Sequence, residues 1–446
     1  METYRQALVC GLGGSGEAAA ALLRAEGTDV SVIDRASTDD LRARAAALEQ
    51  QGVKVLLGAG TLPGGPFDVC VASPGVPPSS PWLAEARERG LRVVSELELG
   101  WSRCRARTAA ITGSNGKSTA VKLLAESLRL AGLKAEPGGN YGPAICRLAL
   151  EHKDLDWVVL EVSTFQLETV DRFRPDVGIL LNIHPNHLDR HGDMATYTRL
   201  KARLFARTRP GDICLVHEPV LAETRSLSGG KGRWSSFGVS AGSDYRYERG
   251  WVWRGGKALA DFRGTHFGNE VLGLAAAAVV GGLEACGAGP DGAVRAARTF
   301  KPLPHRMEPL GEIRGVSYVN DSKATNLSAL AAALRMTPGR VRLIAGGLVK
   351  EKDFSFVKEM LAQRVQGVYL IGQASEEMAS AWSDVVPCFR CQTLDAAVRK
   401  AGSDALAGET VLLSPACASF DQFRNFEERG QRFAGLVKDL AEEEAK

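Results

Sequence analysis

Seven consecutive residues, Gly113-Ser114-Asn115-Gly116-Lys117-Ser118-Thr119, place glycine, lysine and hydroxyl side chains between an apolar run and an amphipathic one. That combination handles phosphate. Successive backbone N–H groups at a helix amino terminus form an anion nest, the Lys117 ammonium reaches terminal phosphates, and the Ser118 hydroxyl can ligate magnesium. The usual phosphate loop has a glycine five positions before its second glycine. Ile111 stands there, so this loop is a shorter form that keeps the same physical logic.

Further along, Trp157–Val162 reads as a buried strand interrupted near its carboxyl end by Glu161. A carboxylate there is costly unless it faces a ligand or a metal, and strand ends in parallel sheets are where ligands sit. Glu161 is therefore read as a magnesium ligand or a water-ordering base, against the alternative of a solvent-facing strand edge. The next strand, Val177–Ile183, empties into His184-Pro185-Asn186-His187-Leu188-Asp189-Arg190-His191, which holds three of the seven histidines. Zinc is chemically open to such a cluster, but magnesium with phosphate matches the nearby loop better. Lys201 falls in a helical stretch, Met194–Phe205, and by pattern alone is an exposed lysine.

Near the amino terminus, Val9-Cys10 runs into Gly11-Leu12-Gly13-Gly14-Ser15-Gly16, then a helix Glu17–Ala25 and a strand Asp29–Ile33 ending at Asp34-Arg35. Glycines in this pattern allow a tight turn, and the helix amino terminus can hold a pyrophosphate. Three readings stay open: a dinucleotide site, a structural turn, or a site for another diphosphate such as a nucleotide-sugar. Ser73-Pro74-Gly75-Val76 follows the strand Val69–Ala72 and makes a second turn on the same sheet edge.

These groups need a scaffold, and the chain supplies a regular one. Short β-branched strands alternate with alanine-rich helices almost throughout, the pattern of α/β layers with parallel sheets. Strand–glycine-turn–helix units are read at Ala7–Cys10, Ala109–Thr112 and Val316–Val319. At about 150 residues per domain, 446 residues suggest three domains. Breaks in the pattern near Trp101–Arg107 and Lys301–Pro304 put them at 1–102, 103–302 and 303–446. The composition is that of a folded chain: 45% hydrophobic, 24% charged, with 49 glycines lying in short loops. A net charge of +3 without a basic stripe argues against nucleic acid. The longest apolar run, Leu272–Leu283, is too short to span a bilayer, and no secretion signal is seen. Nine scattered cysteines fit reduced thiols in the cytoplasm rather than a disulfide framework. Cys388 and Cys391 form one CxxC, with no second ligand pair at zinc spacing.

Taken in order along the whole chain, these motifs resemble the Mur ligase family. Gly113–Thr119 is similar to its GTNGKST loop, Gly138-Gly139-Asn140-Tyr141-Gly142 to GGNIG, and Glu161–Glu168 to ELSSFQLE. Asn186–His191 is similar to DHLDRH, with Asn186 in place of the acid, and Pro304–Glu308 to PHRME. Asn320–Asn326 (NDSKATN) and Ser414–Ser419 (SPACAS) match unaltered, followed by Phe423, Asn425-Phe426 and Glu428-Arg429-Gly430. The family's HNxxN motif survives only as Asn269, with Leu272 at the second position, which puts the adenine contacts in doubt.

The resemblance implies an ATP-dependent ligase, acting in the cytoplasm and as a monomer, that joins glutamate to UDP-N-acetylmuramoyl-L-alanine through an acyl phosphate in peptidoglycan precursor synthesis. D-Glutamate is the expected amino acid, and a variant branch takes L-glutamate. The first domain would take the UDP end, involving Gly13, Ser15, Asp34, Arg35, Ser73 and Gly75, with Asn140 contacting the sugar nucleotide. Gly113–Thr119, Asn269, Arg306, Asp321 and Lys323 would serve ATP. Ser118, Glu161, His187 and Lys201 would serve two magnesium ions, Lys201 as a carbamate. Thr325, Lys350, Ser419 and Phe426 would form the glutamate pocket. His187 or a phosphate oxygen would accept the amine proton. A nicotinamide oxidoreductase built on Gly11–Gly16 and Asp34 leaves the second phosphate loop and the NDSKATN run unexplained. An ATP-binding scaffold without catalysis is the other rival, kept open by Asn186 and Leu272.

Overall fold

The computed structural model describes residues 2–349 and 353–444. The chain is α/β and builds three sheets. The first runs Lys54–Leu57, Asp29–Asp34, Gln6–Cys10, Val69–Ala72, Arg92–Ser95, all parallel. Its middle strand, Gln6–Cys10, is flanked by strands on either side that the chain reaches in opposite directions. The crevice outside its carboxyl end is therefore a switch point of the kind that takes ligands.

In the central sheet the first strand formed, Arg107–Thr112, lies between Trp157–Glu161 and Val177–Leu180, a second switch point. This sheet is parallel through Tyr245–Glu248 and closes with two antiparallel strands, Trp251–Arg254 and Lys257–Asp261. The third sheet runs Glu308–Ile313, Val316–Asn320, Thr410–Leu413, Val341–Gly346, Val365–Ile371, Cys388–Gln392. Only its first pair is antiparallel. Because Thr410–Leu413 sits between Val316–Asn320 and Val341–Gly346, three loops distant in sequence emerge side by side at one sheet edge.

By packing, the chain forms two compact units: Met1–Ile183 with Ala195–Thr299, and His184–Met194 with Phe300–Lys446. The first holds the first two sheets. There helix Ile145–Glu151 packs on helices Gly14–Ala25 and Glu96–Arg103. The apolar strands are buried as their patterns require: Val158, Val159 and Leu160 are wholly inaccessible, as are Val411 and Leu412 in the second unit.

Several local expectations need correction. The helix after the first glycine turn begins at Gly14, not Glu17. The strand expected over Val177–Ile183 ends at Leu180, because Asn182 turns its backbone and side chain to the phosphate loop. The helix Met194–Phe205 is α-helical to Ala202 and finishes as a tighter turn, Arg203–Phe205. The third strand–turn–helix unit has no glycine in its turn. The Asn326 side chain instead caps helix Leu327–Met336, accepting from Ala329 N at 2.8 Å. The nine cysteines are all free thiols, and Cys388 and Cys391 lie on the edge strand Cys388–Gln392. Among the described residues no helix is long and apolar enough to cross a membrane.

Candidate active site

The phosphate loop leaves strand Arg107–Thr112 and enters helix Lys117–Leu130 with Gly116 as its cap. Its shape is held from the neighbouring strand end. Asn182 O accepts from Ser114 N at 3.0 Å, its Oδ1 accepts from Asn115 N at 2.9 Å, and its Nδ2 donates to Asn115 O at 3.1 Å. Lys117 folds back over the loop, Nζ donating to Gly113 O at 2.9 Å and Ser114 O at 3.0 Å. Those carbonyls hold the ammonium above the nest of N–H groups.

Glu161 closes the other side. It is the last residue of strand Trp157–Glu161 and is 3% exposed, so the solvent-facing alternative is excluded. Its Oε2 accepts from Ser118 Oγ at 2.6 Å and its Oε1 from Asn140 Nδ2 at 2.7 Å. One carboxylate thus joins the phosphate loop to the Gly138–Gly142 turn.

Lys201 overturns its surface reading: it is 1% exposed, with Nζ 4.5 Å from the centroid of the Tyr197 ring. Burial pushes its ammonium well below the ordinary lysine range. The Lys117 charge pushes the same way, and Glu161 opposes both. Tyr197 in turn meets the loop, its hydroxyl 3.0 Å from Ser114 Oγ. Burial in this position thus favours the neutral, nucleophilic form of the amine.

A cavity of about 470 Å³ opens at the first switch point and is lined by Gly13, Ser15, Asp34, Arg35, Ser73 and Gly75, with Asn140 contributed from the central sheet. All seven substrate-side residues named from the first two domains therefore share one cleft. Their roles within it differ. The Asp34 carboxylate is engaged by backbone, accepting from Leu12 N at 2.8 Å and Ala36 N at 2.9 Å. It fixes the glycine turn. Ser73 Oγ donates to Gly11 O at 2.8 Å. Arg35 lies over the Trp82 ring, 5.0 Å from its centroid, and presents a cation at the rim. Gly16 is required by packing: a Cβ there would lie 1.8 Å from Gly11 O. The unit also has a larger cavity of about 670 Å³, but arginines paired with Glu2, Glu98 and Asp171 line it and none of the motif residues does.

In the second unit Asp321 is buried. Its Oδ1 accepts from Met307 N at 3.1 Å and its Oδ2 from Ser414 Oγ at 3.0 Å. Burial pushes its carboxyl up to about 7, with those hydrogen bonds and the charges of Arg306 and Arg429 pulling the other way. Lys323 Nζ sits 3.4 Å from the centroid of Phe426, and Phe426 O accepts from Ser322 Oγ at 2.8 Å. Thr325 lies half-buried in the same loop, and Ser419 is buried with its carbonyl accepting from Phe423 N at 2.8 Å. Lys350, expected in the glutamate pocket, lies outside the described residues. His187 caps helix Leu188–His191 in the left-handed region, φ 55°, within the segment that packs in the second unit. Asn269 caps helix Glu270–Ala285, its Oδ1 accepting from Val271 N and Leu272 N and its Nδ2 donating to His266 O. Both ends of that amide are engaged in the helix start.

Three contributors had no role assigned from sequence. Asn182 was hidden by the strand expected across it, although a lone amide at a strand end is a signal. Tyr197 lies four residues before Lys201, on the same helix face. Arg429 was visible as part of a motif but not as a buried side chain.

Comparison with known proteins agrees with this geometry. Residues 5–95 match the MurD-like N-terminal domain of Mur ligases, 111–256 the Mur ligase middle domain, and 305–417 the Mur ligase glutamate ligase domain. The chain belongs to the Mur ligase family. A UDP-N-acetylmuramoylalanine–D-glutamate ligase from Acidobacterium capsulatum is 39% identical, the match covering 97% of this chain and 96% of that one. The protein of the same description from Nitratidesulfovibrio vulgaris is also 39% identical, over 98% and 96%. Among solved structures, MurC from Thermotoga maritima is similar with a TM-score of 0.61 at 16% identity, covering 98% of this chain and 100% of that chain. MurF from Thermotoga maritima, in complex with ADP, gives 0.62 at 16%, covering 93% and 95%. These structures share the fold.

Proposed function

We propose that the protein couples ATP cleavage to amide formation, adding D-glutamate to the alanine carboxylate of UDP-N-acetylmuramoyl-L-alanine. The observation that carries the reading is the Ser118–Glu161–Asn140 chain of hydrogen bonds, which joins a phosphate loop to a cleft of nucleotide-sugar size. The D-glutamate ligases 39% identical over nearly the full length support the choice of substrates.

The chemical problem is that two anions must meet. ATP transfers its terminal phosphoryl group to the carboxylate, giving an acyl phosphate and ADP. The glutamate amine attacks the acyl carbon, and the tetrahedral adduct expels inorganic phosphate. Lys117 and the loop N–H groups offset the phosphoryl charge. Asn140 and the cleft of Gly13, Ser15 and Arg35 hold the sugar nucleotide, while Asp34 keeps the glycine turn in shape.

The donors around Glu161 fit magnesium. Hydroxyl and carboxylate oxygens are hard ligands. Among the described residues no three His, Cys, Asp or Glu side chains cluster as a self-sufficient metal site, so phosphate oxygens would supply the remaining ligands. Magnesium ions held by Ser118, Glu161 and a carbamate on Lys201 would neutralise charge on the transferring phosphoryl group. A neutral buried amine is the form that adds carbon dioxide, releasing a proton and becoming an anion. His187 is read as a further metal-side or proton-accepting group. Arg306, Asp321 and Lys323 are assigned to the nucleotide, and Thr325, Lys350, Ser419 and Phe426 to glutamate.

The test is phosphate release with UDP-N-acetylmuramoyl-L-alanine, MgATP and each glutamate enantiomer separately. Release with D-glutamate only is expected. Release with L-glutamate only would reassign the amino acid, and release with neither would overturn the ligase reading.

A further inference from the structure

Arg429 is wholly buried, three residues into the final helix, Phe426–Glu444. Its Nε donates to Ser322 Oγ at 3.0 Å, and its Nη2 to Ser322 O at 2.8 Å and Cys417 O at 3.1 Å. Nη1 is buried with no acceptor among the described residues and faces Gly347: a Cβ on that glycine would lie 3.2 Å from it. The fork therefore bonds two loops, those following Val316–Asn320 and Thr410–Leu413, and packs on a third, that following Val341–Gly346. These are the three loops that emerge together at the edge of the third sheet.

The loops are also fastened to one another. Leu348 N donates to Ala418 O at 2.8 Å and Ala418 N to Leu348 O at 3.1 Å. Gly347, φ +133°, admits this approach, since a Cβ there would lie 2.2 Å from Ala418 O. Two of the loops carry residues assigned above to glutamate: Thr325 on the first and Ser419 on the second. Phe426, one helical turn before Arg429, completes the set, tied to the first loop through Ser322 Oγ.

We propose that Arg429 is a positioning residue for the amino-acid substrate, setting the spacing of the loops that bind it; the inference rests on the glutamate-adding reading. For stability alone, a buried guanidinium with one arm unpaired is a poor choice. What the fork supplies, and an ammonium or an apolar side chain does not, is simultaneous directional bonding to carbonyls on two loops. Burial pulls its pKa down only to about 10, so the fork stays charged at neutral pH.

The experiment is steady-state kinetics on full-length Arg429→Lys and Arg429→Met, with D-glutamate, ATP and the UDP-sugar substrate varied in turn, beside circular dichroism and thermal melting. In Arg429→Lys, KM for D-glutamate is expected to rise about tenfold while KM for the UDP-sugar stays within about twofold, KM for ATP rising less than that for D-glutamate because Asp321 and Lys323, assigned to the nucleotide, flank Ser322; Arg429→Met is expected to be worse. An unchanged KM for D-glutamate, or an equal rise in all three with a lowered melting temperature, would overturn the inference. Should the Arg429 variants not fold, Ser322→Ala, which removes the Nε acceptor together with the hydroxyl's bond to Phe426 O and so loosens both ties on the first loop, decides: a selective rise for D-glutamate supports the assignment and no selectivity overturns it. Wild-type protein without glutamate-dependent turnover would instead sink the underlying reading.

Discussion

Ser118 Oγ lies 2.6 Å from Glu161 Oε2, so the hydroxyl that ends the phosphate loop and the carboxylate that ends the neighbouring strand form one unit. Replacing Glu161 with Gln keeps the size and one oxygen acceptor but removes the charge. Turnover is expected to fall by about a hundredfold or more, with ATP binding weakened chiefly in its magnesium dependence. Nucleotide titration with and without magnesium checks this; equal loss in both conditions would mean that Glu161 only braces the loop.

Lys117→Ala and Lys201→Ala are each expected to abolish ligation while the chain still folds. They differ in repair. Lys201→Ala leaves a hole beside Tyr197 that a short carboxylic acid can enter, and millimolar acetate or propionate should restore part of its turnover. No carboxylate should rescue Lys117→Ala, because the missing group there is a cation. Rescue of both variants, or of neither, would remove the case for a carbamate.

Glu96 makes a pH-dependent join between the first two sheets. Its Oε1 accepts from Cys146 N at 2.8 Å, its Oε2 has no partner among the described residues, and burial pushes its carboxyl up to about 7 against that hydrogen bond. A raised carboxyl pKa means that the native state keeps its proton when the unfolded state has lost it. The associated stability is complete below the ordinary value of 4.5 and is lost as pH climbs to about 7. Glu96→Gln keeps the acceptor for Cys146 and removes the titration. Relative to wild type it should gain about 3 kcal/mol of stability between those limits, read as a widening gap in unfolding midpoints. A constant gap across the range would show that Glu96 is ionised in the native state.

Gly16→Ala should be severe despite its small volume. The added carbon meets a backbone oxygen, Gly11 O, rather than a movable side chain, so helix Gly14–Ala25 must shift off the strand. A loss of about 3 kcal/mol is expected, with the KM for the UDP-sugar raised more than that for ATP. Thermal melting and kinetics together test this, and a melting temperature within a degree of wild type would refute the close packing.

The alternation of strands and helices, the two glycine turns and the phosphate loop were all legible, because each is written in local pattern and local turn chemistry. Lys201 was not. Helical periodicity places it beside Tyr197 but says nothing about what covers that face, and the cover comes from a loop more than eighty residues earlier. Asp34 lines the cleft, yet its backbone bonds to Leu12 and Ala36 depend on how the turn closes over it. Asn269 appeared as a remnant of a nucleotide motif, whereas in space its amide starts a helix. Residue type was visible in each instance. What was missing was the partner supplied by a distant segment.

The three loops joined by Arg429 leave strands that the chain lays down in the order Val316–Asn320, Val341–Gly346, Thr410–Leu413, and the residue that joins them comes after all three. During synthesis the first two switch points can therefore assemble while the third sheet still lacks its inner strand and its clasp. Until residue 429 is made, these loops have no shared tie through its guanidinium, so the sheet end that carries Thr325 and Ser419 is set late in the order of the chain.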